Sequence, residues 1–381
     1  MSMKKIIFKS FLNETTGFFI LTSCCVTIIV WVIQAVNYLD FVTEDGHGFK
    51  IYFLYTILSL PKIFNKLVPF MFFFSLFFEL IKYEEQNQTI IFWTNGIKKI
   101  SFLNVVVKYS LFFLILQLLL SLVVVPAAQD KARSFIRQSN IDYLPLLIKP
   151  KKFIDTVERL TIYSDKKEKD KLENIIIKDK FSTTKSKIIY AKKGYFTSSN
   201  NNNFLVLTDG KILNINDGKT TSFNFSQTQI NLSNYTAKTT LTPKLQEVDT
   251  LKLFNCLFFK QNLRSNFLQE NAQFVFRCED TKVQKNKISQ ELFSRTFKPF
   301  YIPLLALIAC FLLLKSKNSV GYNNYKFKIF FVGIVFISIS EIAIKFFSGN
   351  YYKSSLIFML PFIFFILFYY IFKNQFNYKK S

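Results

Sequence analysis

Residues 82–100 read KYEEQNQTIIFWTNGIKKI, a segment with charge at both ends, an apolar middle and one glycine. It stands between two of the most apolar stretches of the chain, and what those stretches are decides the fold. A hydrocarbon core about 30 Å thick takes roughly 20 apolar residues per helix. By that measure six blocks qualify: 16–38, 51–81, 100–125, 301–314, 327–347 and 356–372, the fourth lengthening to 297–314 when its flank is counted. The second is too long for one straight span. Pro61 and Pro69 lie inside it, each without an N–H to donate, and predict a kink or a break there.

Composition supports an integral membrane protein. Half of the 381 residues are hydrophobic and 48 are Phe, in blocks too continuous for a soluble domain of this size. A formal net charge of +24 would suit a nucleic-acid partner, but Arg is scarce and the excess is Lys scattered through loops, so a solvated basic surface is expected and no nucleic acid. Lys4, Lys5 and Lys9 before the first block, Lys98 and Lys99 after the second, Lys315, Lys317, Lys326 and Lys328 between the fourth and fifth, and Lys373, Lys379 and Lys380 at the end fall on one side of a six-span chain. The positive-inside rule makes that side the cytoplasm, with both termini on it. The first block has no small-residue cleavage site after it and is expected to be retained.

The expected layout is therefore spans 1–3 in residues 1–126, an outer all-β domain in 127–295, and spans 4–6 with a cytoplasmic tail in 296–381. Strands are legible in RLTIYS, ENIIIKD, KIIYAKKGYF, NFLVLTDGKILNI and TTSFNFSQTQINL, which alternate β-branched or aromatic with polar residues. Asp209-Gly210 and Asp217-Gly218 predict hairpin turns, and 198–203 an exposed tip. Cys256 and Cys278 lie on the outer side, where a disulfide is chemically permitted, though spacing does not pair them. No phosphate-cradling loop, metal-spaced Cys/His set or catalytic constellation is present, and the single histidine, His47, reads as a loop residue. The chain is thus expected to lack catalytic residues, a metal and a cofactor of its own.

Charges near or within spans are the remaining candidates. Lys62 and Lys66 share one helical face in the Pro-rich part of the second block and suit a lipid phosphate, or else snorkel to the interface. Glu341 with Lys345, and Glu291 with Arg295, stand at the helical i, i+4 spacing of local pairs. Residues 86–95 predict a short helix exposing Ile90, Ile91 and Trp93, with Gly96 as its cap. Such a helix either receives another protein or lies on the membrane with Trp93 as anchor.

WVIQAVNYLDFV, then LSLPKIFNKLVPFMFFFSLFFELIKYEEQNQTIIFWTNGIKK, resembles the N-terminal half of the LptF/LptG family of lipopolysaccharide-export permeases. QELFSRTFKPFYIPLLALIA resembles that family's Glu-x-x-x-Arg-x-x-x-Pro approach to the fourth span, carried here by Glu291, Arg295 and Pro299. The resemblance covers essentially the whole chain and is closer to the LptF branch, through WVIQAVNYLDF and FIDTVERLTIYSDKKEKDKLENIIIKDK. It implies a jellyroll-like periplasmic domain and a bacterial inner-membrane location. It also implies an LptG-like partner chain, an LptB-like ATPase dimer that binds the ATP, and LptC/LptA-like periplasmic proteins that receive lipopolysaccharide. Residues 86–96 would then be the coupling helix, with Gln88, Ile90, Ile91, Trp93 and Gly96 facing the ATPase. The family usually carries Glu eight residues before the Gly, where this chain has Gln88. Within the same class the alternatives are an LptG-type paralogue or an exporter of another glycolipid, and the rival from another class is an envelope sensor or anchor that transports nothing.

Overall fold

The computed structural model describes residues 2–39, 48–138, 148–155, 159–168, 171–180, 182, 185–199, 202–216, 219–232, 244–258, 282–346 and 351–377. Six helices among them have membrane-spanning length and apolarity: Lys4–Asn37, Phe49–Glu85, Lys99–Ile136, Val283–Leu314, Tyr322–Phe346 and Ser355–Gln375, here spans 1 to 6. Spans 3 and 4 run past their apolar blocks as polar helical rods, the helix of one continuing to Gln138 and that of the other beginning at Lys282.

Span 2 breaks where its prolines predict. One helix, Phe49–Leu58, stops at Ser59, and a second, Leu60–Glu85, starts with Pro61 in its first turn. Carbonyls freed by such a break need donors, because hydrocarbon supplies none. Thr56 O receives two side-chain donors, Ser59 Oγ at 2.6 Å and Trp31 Nε1 of span 1 at 2.8 Å, besides the Ser59 N–H at 3.2 Å. Pro69 sits inside the second helix and cannot donate to Asn65 O four residues back; Gln117 Nε2 of span 3 donates to it at 3.3 Å.

Span 4 is the axis of the bundle. Of its most apolar window 72% is buried, against 17% for span 1 and 11% for span 6, and every residue of Tyr301–Cys310 is buried. It is packed against spans 2, 3, 5 and 6, while spans 1, 5 and 6 turn Ile28, Ile33, Phe331, Ile363 and Ile366 outward, as a lipid-facing surface requires. Span 5 approaches span 2 at Gly333, where a Cβ would lie 2.0 Å from the Phe73 ring.

Between spans 3 and 4 the chain forms an antiparallel five-stranded sheet in the order β1 Leu160–Glu168, β2 Lys171–Lys180, β3 Lys185–Ser199, β4 Asn202–Asn216 and β5 Lys219–Asn231. Its buried face gathers Leu160, Ile162, Ile175, Ile177, Ile189 and Leu205 around Ile148 and Leu232. One row interrupts the ladder: pairing steps over Asp165, Asn174, Lys192, Asp209 and Ser226, which lie side by side across all the strands. Asn174 and Asp209 take φ of 51° and 52° there, a left-handed conformation that Asn and Asp tolerate better than other non-Gly residues. At this row the inward-facing step is three residues instead of two, as in Leu172 to Ile175 and Ala191 to Gly194. Two neighbouring residues therefore face outward on each strand, which is why the sequence shows polar doublets such as Glu173-Asn174, Lys192-Lys193 and Thr208-Asp209. Asp209-Gly210 is accordingly no hairpin turn but the β4 part of this crease. Gly210 is required there, since a Cβ would meet Tyr190 O at 2.2 Å. Of the tip expected at 198–203, Ser198, Ser199, Asn202 and Asn203 pair as the ends of β3 and β4, and residues 200–201, like Asp217-Gly218 and His47, lie outside the described residues.

Candidate functional site

The short helix joining spans 2 and 3 is Thr89–Thr94. Span 2 leaves it through Asn87 at φ 59°, and it closes at Gly96, φ 70°, with Gly96 N–H donating to Trp93 O at 3.0 Å and Ile97 N–H to Phe92 O at 3.0 Å. That is the Schellman arrangement, and the buried Phe92 and Ile97 provide the apolar contact that accompanies it. Phe92 sits in an aromatic nest of Phe8, Phe11, Tyr83 and Phe102, at centroid distances of 5.0 to 6.3 Å. With that face anchored, Ile90 and Ile91 point outward at 51% and 48% exposure. Trp93, expected beside them, is half-buried against Phe92 and Phe102 with the Lys99 ammonium 5.5 Å from its ring. Gln88 is half-buried, and its side-chain amide donates to Gln86 Oε1 at 2.9 Å.

One end of this helix is fastened to the far end of span 4 and the other to the turn that follows it and the start of span 5. At its start, Glu84 accepts the Thr89 hydroxyl at 2.6 Å and the Lys317 N–H at 3.0 Å. Lys317 Nζ donates to Glu85 O at 2.9 Å, and Lys326 pairs with the Glu85 carboxylate at 2.9 Å. At its finish, Lys99 Nζ donates to Leu313 O at 2.5 Å. Beneath it, Lys82 Nζ joins the carboxylates of Glu14, 3.0 Å, and Glu79, 2.8 Å, while Tyr83 OH donates to Glu14 at 2.8 Å. Sequence reasoning missed this cluster. Glu79 inside an apolar block, three residues before Lys82, was the available signal, because a carboxylate in a span needs a partner.

At the opposite end, the motif before span 4 does more than pair locally. Arg295 Nε donates to Glu291 at 2.9 Å, and its two terminal nitrogens donate to Val248 O, Thr250 Oγ1 and Leu245 O, each at 2.9 Å. Thr250 in turn donates to Leu122 O at 2.8 Å. Pro126, four residues on, has no N–H to offer that carbonyl, and the helix widens to a π turn at Leu120–Val124 beside it. The 244–250 segment returning from the sheet is thus held to span 4 by the Arg295 guanidinium and to span 3 by the Thr250 hydroxyl. A second tie beside it is Arg133 with Glu247 at 3.7 Å, both side chains almost fully buried. Pro299 occupies the tight turn Lys298–Phe300 at the foot of the buried segment. Glu341, expected to pair with Lys345, bonds Lys298 of span 4 instead.

Lys62 is half-buried and Lys66 exposed in span 2, and neither has an ion-pair partner among the described residues. Lys62 lies within electrostatic reach of Lys66, Lys244, Glu247 and Glu291, so it faces the tether region. Cys256, buried in the helix Thr250–Phe258, is disulfide-bonded. Cys278 lies outside the described residues.

Six spans carrying an antiparallel sheet between the third and fourth, with a fastened helix between the second and third, define a multi-pass membrane protein with an inserted β domain. The model of the lipopolysaccharide export system permease LptF/LptG family matches residues 9–374, and the chain belongs to that family. It is also similar to the uncharacterized protein RP871 of Rickettsia prowazekii (strain Madrid E), 23% identical over 233 residues, which cover 61% of this chain and 64% of the relative. The chain thus spans just under two thirds of that relative's length.

Proposed function

We propose that this chain is the LptF-type permease subunit of an exporter that takes lipopolysaccharide from the outer leaflet of the bacterial inner membrane and passes it to a periplasmic bridge. In this reading it pairs with an LptG-like chain, and an LptB-like ATPase dimer binds and hydrolyses the ATP. LptC/LptA-like proteins receive the lipid above the sheet, and both termini lie in the cytoplasm. Family membership supports the transport role. The observation that carries the coupling role is the helix Thr89–Thr94, which turns Ile90 and Ile91 outward while one end is bonded to the span 4 terminus and the other to the turn that follows it.

A push on that helix reaches span 4 through Lys99, and the turn after it through Glu84 and Glu85. Span 4, enclosed along its length, carries it to Arg295, which grips the segment returning from the sheet. Gln88 replaces the family's usual acid, and Glu84 and Glu85 are engaged within the chain, so apolar contact through Ile90 and Ile91 takes the larger share of the partner interface. Lys62 and Lys66 would meet lipid phosphates as point charges near the sheet side.

Photocrosslinking from position 91 in intact membranes, with mass identification of the adduct, tests the coupling role. A nucleotide-hydrolysing subunit is the expected product. Adducts to lipid alone would overturn this role and favour a sensor or anchor.

A further inference from the structure

A cleft of about 400 Å3 opens between the first turns of span 1 and Val105 of span 3, at the same end of the bundle as the helix Thr89–Thr94. Its span 1 wall is Lys4, Lys5, Phe8, Lys9, Leu12 and Asn13, and the exposed lining is mostly apolar. Residues 4, 5, 8, 9, 12 and 13 occupy one half of the helix circumference, at 3.6 residues per turn. The other half is spent on packing: Phe11 is fully buried, and Glu14 bonds Lys82 and Tyr83. The lysines thus converge on the cleft instead of fanning around the helix. None of the three has an ion-pair partner among the described residues. Charge is also ordered by depth, the ammonium groups clustering in the first turns and the uncharged Leu12, Asn13 and Val105 lying nearer the membrane interior.

A cationic mouth over an apolar floor, aligned with the membrane normal, has the shape and polarity of an anionic amphiphile. A free phosphate would satisfy the mouth and leave the floor without a partner. We propose that this cleft binds an anionic phospholipid of the adjacent leaflet, its phosphate held by Lys4, Lys5 and Lys9 and an acyl chain laid on Phe8, Leu12 and Val105. Phe8 packs on Phe92 and Phe102 at 5.4 and 5.6 Å, so the bound lipid braces span 1 against the connecting helix. This site is independent of the export reading, because it needs only the spans and the cleft.

The test uses the purified full-length chain in nanodiscs of phosphatidylcholine doped with phosphatidylglycerol, reading lipid retained on extraction by native mass spectrometry. Three variants decide it: Lys4→Gln/Lys5→Gln/Lys9→Gln; Lys98→Gln/Lys328→Gln/Lys373→Gln, which removes equal charge from the same end; and Val105→Trp, which fills the cleft and keeps every lysine. The first triple variant is expected to lower phosphatidylglycerol affinity roughly a hundredfold. Val105→Trp should abolish its retention, and the second triple variant should retain it as the native chain does. Equal loss in both triple variants would reduce the effect to bulk charge, and retention by Val105→Trp would exclude the cleft. Displacement by inorganic phosphate at matched concentration would assign a phosphate site in place of a lipid site. Any of these outcomes overturns the proposal.

Discussion

Arg295 shows how one side chain turns an approach motif into a joint. Its five N–H donors in a rigid fork suit several acceptors held at fixed angles, and here they meet Glu291, Thr250 and the carbonyls of Val248 and Leu245. The side chain is 4% exposed, so removing it strands those acceptors away from water. Arg295→Ala is expected to cost about 3 kcal/mol or more, read as a lower Tm and as new protease cleavage near residues 244–250. Arg295→Lys keeps the charge but loses the fork, and should fall between the two. Pro126 belongs to the same joint from a distance. Pro126 has no N–H to give Leu122 O, the carbonyl to which the Thr250 hydroxyl donates.

Among elements, the creased sheet and the close pair of spans 2 and 5 each rest on a backbone requirement. In the crease, Asn174 stands at φ 51° on a strand whose neighbours are extended. A β-branched residue fits the left-handed region poorly, whereas Gly enters it freely. Asn174→Val is expected to lower stability by about 1–2 kcal/mol, with Asn174→Gly near neutral, and thermal melting of the two variants checks the difference. Between the spans, Gly333 admits the buried Phe73 ring. Gly333→Val should drive the helices apart and lower Tm, and adding Phe73→Leu should restore much of the loss; two variants that simply add would show that the contact is not shared.

For the molecule as one body, the bonds at the two ends of span 4 matter more than any single contact. Lys99 on Leu313 O, with Glu84 and Glu85 on Lys317 and Lys326 of the following turn and span 5, at one end, and the Arg295 set at the other, join span 4 to both the exposed helix and the segment returning from the sheet. Glu84→Ala/Glu85→Ala removes the acceptors for the Lys317 N–H and the Lys326 ammonium while leaving Ile90 and Ile91 in place. The expected outcome is undiminished photocrosslinking from position 91 with lipopolysaccharide export sharply reduced. Export at the native level would show that motion reaches span 4 by another route.

The spans, the break in the second of them and the inserted strands were readable from residue order, because hydrocarbon thickness and backbone hydrogen bonding act along the chain and leave periodic marks. The crease left a mark as well, in its polar doublets, but reading Asp209-Gly210 as a turn obscured it; only pairing on both sides of β4 distinguishes a bend within a strand from a reversal between strands. The joints were not readable. Lys99 meets Leu313 across 214 positions, Thr250 meets Leu122 across 128, and Glu341 chooses Lys298 over the Lys345 one turn away. Local spacing proposes partners on one helix. A helix in a bundle can satisfy a charge or a proline-freed carbonyl equally well from a neighbour, and which neighbour comes within bonding distance is settled by how the helices pack.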